Sequence, residues 1–138
     1  MLIVALQIVA TLASADCGEL CSEEAARHYA RLNAAAAMTR RDSERAAFLV
    51  RANNGRLRAI VWQAGEAAEA SYKGPIPAGC IAIIHTHPIA APQPSRRDLA
   101  EAQRIRMPIV VITPDSVTVA RTDGASAQLF GAGWTRVR

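Results

Sequence analysis

Two short runs made only of apolar residues constrain what this 138-residue chain can fold into. Residues 80–84 (CIAII) and 108–112 (PIVVI) lack the polar alternation of a half-exposed strand, so each predicts a strand that is buried on both faces. Between them, residues 95–106 (SRRDLAEAQRIR) have a helical pattern. The apolar side chains of that helix share one side: Leu99, Ala102 and Ile105. The three segments together predict a strand-helix-strand unit.

The N-terminal half predicts a helix followed by a hairpin. Residues 22–40 begin with Ser22 as an N-cap and acidic residues in the first turn, and their apolar side chains recur at helical spacing. Those side chains are Ala25, Tyr29, Leu32 and Ala36. Residues 46–51 and 56–63 are strand-like, and the Asn-Gly pair between them tolerates the positive φ of a turn. We expect these two strands to be antiparallel neighbours.

The rest of the chain predicts further strands. Residues 116–121 (SVTVAR) alternate like a half-buried strand, and residues 128–130 and 134–137 are candidate edge strands. The chain is long enough for one core but not for two. We therefore expect a single domain over residues 16–138 with an α/β (α+β) fold in three layers, in which a mixed, largely antiparallel sheet is flanked by two principal helices.

The first residues predict export. Residues 1–15 (MLIVALQIVATLASA) carry no charge and end in small residues that a signal peptidase accepts, although the usual positive charges at the start are missing. We expect a signal peptide and a periplasmic or extracellular protein. The alternatives are a misassigned start codon and a buried first helix or strand, in a cytoplasmic protein. The run is too short to span a bilayer, so we expect no stable membrane anchor.

The cysteines leave two alternatives open. Cys17 and Cys21 lie four residues apart, and export permits a disulfide between them, whereas the other alternative is three unpaired thiols. Cys80 has apolar neighbours, which favours a place in the core over metal binding.

Charge gives little indication of a partner. The formal charge of +4 comes from 16 basic and 12 acidic residues, and the arginines are spread along the chain. Because no aromatic stacking pattern accompanies them, we expect no nucleic-acid binding.

The residues that indicate chemistry follow the first buried strand. His85 and His87 are two apart, so in an extended chain they leave the same face while Thr86 points away, and one metal ion can bridge them. Asp98, in the first turn of the next helix, would complete the three protein ligands that a catalytic zinc commonly has. Such a zinc polarises a carbonyl group and lowers the pKa of a bound water, which are the requirements of amide hydrolysis.

Each part of this pattern also has an ordinary explanation. The sequence Ser95-x-x-Asp98 before an apolar run is a capping box, although the same helix N-terminus also holds the aspartate rigidly.

Other classes of zinc hydrolase do not fit the sequence. An amidohydrolase-type site needs further histidines downstream, but His28 lies upstream. A zinc deaminase needs a Cys-x-x-Cys pair, which the sequence lacks.

The pattern H-x-H-P, six residues and then S-x-x-D resembles the motif of the JAMM zinc metalloproteases, the catalytic (MPN-plus) branch of the MPN-domain family, in a minimal bacterial form. The resemblance implies a three-layer MPN/cytidine-deaminase-like fold. It also implies one Zn²⁺ per chain, bound by His85, His87 and Asp98, and a Ser95 hydroxyl that stabilises the oxyanion of the tetrahedral intermediate.

In that family, a glutamate at the start of an early strand acts as the general base, and Glu44 occupies the corresponding place. Glu66 and Glu69 lie in a polar connection, while Glu23 and Glu24 are explained by the first turn of their helix. These four are weaker candidates for the base.

The function that the resemblance implies is that of a zinc metallopeptidase or isopeptidase acting on a peptide or protein substrate. The chain shows no insertions like those that grip ubiquitin in eukaryotic deubiquitinases, so we do not carry over a ubiquitin-directed role. Two other classes stay open. One is a non-catalytic MPN-like zinc-binding interaction module. The other is an accessory or toxin-associated domain that binds an acidic partner through its arginine-rich faces and in which the zinc is structural.

Overall fold

A computed structural model describes residues 17–38, 44–62, 74–87 and 91–136. The expected signal peptide over residues 1–15, the glutamates Glu66 and Glu69, and Pro88 of the motif lie outside these residues. Within the described part, six strands form one sheet: β1 Ala46–Arg51, β2 Leu57–Val61, β3 Cys80–Thr86, β4 Ile109–Ile112, β5 Val117–Ala120 and β6 Ser126–Phe130. Two α-helices accompany them, α1 (Glu23–Met38) and α2 (Arg96–Ile105).

The sheet is mixed and largely antiparallel, as predicted. Its strand order is β2-β1-β3-β4-β5-β6, and only the pair β3 and β4 among these strands is parallel. Parallel neighbours need a crossover connection, and α2 lies in the one between β3 and β4. The C-terminal end of β3 therefore lies close to the start of α2.

The two helices cover opposite faces of the sheet. Helix α1 buries the four predicted side chains, and its N-cap is confirmed because the Ser22 hydroxyl accepts a bond from the Ala25 N–H (3.0 Å). On β3, Ala82 and Ile84 belong to the core cluster on the α1 side, whereas Ile83 packs with Ala102 of α2 on the other side. The fold is thus the three-layer α+β arrangement that the sequence predicts.

Strand β5 differs from the prediction of a half-buried strand, because all four of its residues are buried. The reason is that the face opposite Val117 and Val119 is also covered, because Thr118 donates a hydrogen bond to the Pro92 carbonyl (3.2 Å) and Ala120 packs in the core cluster on the α2 side. The alternation of the sequence does not show that cover.

The predicted edge strand over residues 134–137 is wrong for residues 134–136, and residue 137 lies outside the described part of the chain. Trp134–Arg136 forms a 3₁₀ helix instead. The indole of Trp134 is buried in the core and its N–H donates to the Thr113 carbonyl (3.0 Å), a bond across 21 residues that draws the segment inward. Residues 128–130 do form part of an edge strand, β6.

Of the two alternatives for the cysteines, the structure has the disulfide between Cys17 and Cys21. The bond closes a 3₁₀ turn, Gly18–Cys21, and the Tyr29 hydroxyl donates to the Leu20 carbonyl in that turn (2.8 Å). Cys80 is an unbridged thiol that packs, half-buried, against the core on the α2 side. In the part of the chain that the structure describes, no helix is long and apolar enough to cross a membrane.

Candidate metal centre

The two histidines of the motif lie side by side at the C-terminal end of β3. His85 pairs with Ala46 of β1 and Val111 of β4, and the His87 backbone N–H donates to the Ile112 carbonyl (2.9 Å), which extends the parallel ladder by one bond. Both side chains are buried, and their ring centroids are 4.6 Å apart. The extended backbone therefore places both imidazoles on the face of the sheet that α2 covers.

Asp98 reaches the imidazoles from the first turn of α2. Its Oδ1 is 3.2 Å from His85 Nε2 and its Oδ2 is 3.4 Å from His87 Nε2. The capping box predicted from the sequence is present, because the Ser95 N–H donates to Asp98 Oδ2 (2.8 Å) and the Asp98 N–H donates to Ser95 Oγ (3.0 Å). One aspartate thus both caps the helix and contacts the two histidines.

Glu44 lies on the other side of the histidine pair. Its Oε2 is 3.8 Å from His85 Nδ1, and its side chain is 28% exposed, whereas Asp98 is buried. The backbone next to Glu44 is tied to β3 by two bonds: the Arg45 N–H donates to Thr86 Oγ1 (2.9 Å) and the Thr86 N–H donates to the Arg45 carbonyl (2.8 Å). Thr86 therefore points away from the histidines, as predicted, and its hydroxyl fixes the segment that carries Glu44.

The carboxylates of Asp98 and Glu44 set the charge state of His85. Burial by itself lowers the pKa of His85, but the carboxylates of Asp98 and Glu44 outweigh that effect and raise the pKa to about 9. Burial likewise raises the pKa of Asp98, yet the neighbouring imidazoles of His85 and His87 hold it well below its usual range. At neutral pH, His85 of the metal-free centre is thus the imidazolium cation, with a proton on each ring nitrogen. A metal ion must displace one of these protons to bind.

The donor atoms fit a metal ion. Glu44, His85 and His87 each offer one ligand atom, and these atoms lie within 4.8 Å of one another. His85 Nε2 is buried and makes no hydrogen bond of good geometry within the described residues, although Asp98 Oδ1 is nearby. His87 donates from Nδ1 to the Ala91 carbonyl (2.9 Å), which leaves its Nε2 lone pair available to a metal.

Two further residues considered at the level of sequence lie apart from this cluster. His28 is on α1 and bonds through Nε2 to the Leu57 carbonyl (3.1 Å). Cys80 is at the opposite end of β3 from the histidines and donates to the Ala82 carbonyl (3.4 Å). The sequence does not predict the bond from His87 to the Ala91 carbonyl, because every residue has a backbone carbonyl and its residue type does not mark it as an acceptor.

The fold and the cluster together define a class of protein: an α+β domain with a histidine-carboxylate site that can hold a metal ion. The family described as prokaryotic homologs of the JAB domain matches residues 17–128, and the chain belongs to that family. This membership confirms the resemblance to the MPN family. No curated protein and no solved structure matches the chain significantly.

Proposed function

We propose that the protein is a zinc-dependent metallopeptidase or isopeptidase that hydrolyses an amide bond of a peptide or protein. The observation that carries the proposal is that the Nε2 atoms of two buried histidines face one buried carboxylate, Asp98, while the more exposed carboxylate of Glu44 lies alongside. In this proposal, His85, His87 and Asp98 bind one Zn²⁺, because two imidazoles and a carboxylate are a common ligand set of catalytic zinc.

A zinc ion at this site would supply a Lewis acid that polarises the scissile carbonyl and makes a bound water more acidic. Glu44 removes a proton from the attacking water and passes it to the leaving amine, a role that its exposure to solvent suits. Ser95 Oγ accepts the Asp98 N–H and still has a proton to donate, so it can stabilise the developing oxyanion at the start of α2.

The disulfide favours an oxidising compartment for this activity. Cytosolic proteins rarely keep such bonds, whereas exported proteins do. We therefore propose that the substrate lies outside the cytoplasm.

Zinc content and hydrolysis of a peptide library test the function together. We expect about one zinc per chain in purified protein, cleavage of amide bonds by that protein, and loss of cleavage after chelation that added zinc restores. Elemental analysis and mass spectrometry of the products measure both. Folded, zinc-supplemented protein that retains no metal, or cleavage that chelation does not affect, would contradict the proposal.

Two substitutions of Ser95 separate helix capping from catalysis. Ser95→Ala should cost about 1 kcal/mol of unfolding free energy as a lost cap and should also lower kcat. Ser95→Gly costs only about a few tenths of a kcal/mol at an N-cap and has no side-chain donor, so it should lower kcat with little change in stability. Thermal unfolding and initial rates measure the two effects, and full activity of Ser95→Gly would limit Ser95 to capping.

One observation favours a second function, the non-catalytic zinc-binding interaction module. Glu44 lies close enough to His85 and His87 to share a metal ion with them. If Glu44 joined Asp98 as a ligand, the zinc would have four protein ligands and no position for water, which is the arrangement of a structural site. The zinc affinity of Glu44→Gln distinguishes the two functions.

A further inference from the structure

A short segment after the motif histidines, residues 91–92, is held at two consecutive carbonyl groups. The Ala91 carbonyl accepts the hydrogen bond from His87 Nδ1 (2.9 Å), and the Pro92 carbonyl accepts one from Thr118 Oγ1 (3.2 Å). The first bond connects the segment to a candidate metal ligand. The second connects it to β5, two strands away from β3 in the sheet.

Thr118 is placed for this bond by the register of the sheet. It pairs with Val111, which in turn pairs with His85, so the three side chains lie in one row on the face that α2 covers. Thr118 is 1% exposed, and a buried hydroxyl needs a hydrogen-bond partner. A valine of the same shape would fill this position without the bond.

The bond to Ala91 determines how His87 can act as a ligand. A carbonyl oxygen only accepts, so Nδ1 must carry the proton and Nε2 of the neutral ring presents its lone pair. Loss of such a supporting bond typically weakens metal binding by about 10- to 100-fold. The position of the Ala91 carbonyl therefore matters for the metal centre.

We propose that Thr118 is a positioning residue of the metal centre. Its hydroxyl fixes the Pro92 carbonyl, which places the adjacent Ala91 carbonyl where it orients the His87 ring. This inference rests on the proposed zinc site but not on hydrolysis, because Thr118 acts on the ligand and not on the substrate.

Three substitutions test the inference through zinc affinity. Thr118→Val removes the hydroxyl at nearly constant volume and should raise the zinc dissociation constant about tenfold or more, measured by competition with a chelator. Thr118→Ser keeps a hydroxyl and should bind zinc as the wild type does. Thr113→Val is the matched control, since it removes another buried hydroxyl, one that bonds within the turn to Ser116 and not to residues 91–92.

A second readout reports on the His87 ring itself. In the zinc-loaded wild type, we expect a protected Nδ1–H proton resonance for His87, which Thr118→Ser and Thr113→Val keep and Thr118→Val loses through faster exchange with solvent. Circular dichroism checks that each variant is folded, and Thr118→Ala replaces Thr118→Val if the latter does not fold.

The outcomes separate the inference from the proposed function. Unchanged zinc affinity and an unchanged resonance in folded Thr118→Val would overturn the positioning role while leaving the zinc site intact. Equal weakening in Thr113→Val would overturn it as well, because the effect would then be one of general stability. A wild type that binds no zinc would overturn both the zinc site and the inference.

Discussion

Replacing His87 with alanine is expected to abolish zinc retention in a protein that still folds. The change removes one of three proposed ligands and leaves only His85 and Asp98, which is too few for a stable zinc site. The fold should persist because the capping box at the start of α2 joins Ser95 to Asp98 and does not involve the substituted ring. Elemental analysis should find about one zinc per chain in the wild type and close to none in the variant.

The matched control for this experiment is His28→Ala. His28 is also a histidine with a bond to a backbone carbonyl, but it lies on α1 and contacts Leu57 instead of the candidate metal centre. This variant should keep its zinc. A His87→Ala protein that retained zinc as the wild type does would remove His87 from the ligand set and contradict the proposed site.

The second large effect is expected for Glu44→Gln, which should keep zinc but lose turnover. Glutamine has nearly the same shape as glutamate but cannot accept the proton of the attacking water, so kcat should fall by about 10²- to 10⁴-fold. Zinc affinity should stay close to that of the wild type, because Asp98 and not Glu44 faces the Nε2 atoms of both histidines.

Glu23→Gln, a change at an exposed glutamate that is paired with Arg27 on α1, is the control for the loss of one negative charge. If Glu44→Gln instead weakened zinc binding strongly, Glu44 would be a fourth ligand and the interaction module would be the better function. Full activity of Glu44→Gln together with normal zinc binding would assign the base to another group.

The elements that the sequence predicts well are those in which one periodicity dominates. The buried face of α1 and the doubly covered strands β3 and β4 follow from local patterns of apolar residues. The adjacency of His85 and His87 follows from strand geometry in the same way. The pattern of residues within each segment is enough to predict these features.

The features that the sequence does not predict depend on contacts between distant segments. Burial of Thr118 depends on Pro92, and the 3₁₀ helix at Trp134 depends on Thr113. The place of Glu44 beside His85 follows from antiparallel pairing of β1 with β3, and before the structure only the family resemblance singled it out among the glutamates. Such contacts carry no periodic signal in either segment.

The capping box has a consequence for how this domain can change by mutation. The first turn of α2 is satisfied by Ser95 and Asp98 from within the protein, so formation of that helix does not require a bound ion. Under the proposed function, a substitution at His87 would therefore remove the zinc without removing the scaffold around it. Selection could then act on the scaffold alone, and descendants of such a domain would be retained for the surfaces they present after the proposed reaction had been lost.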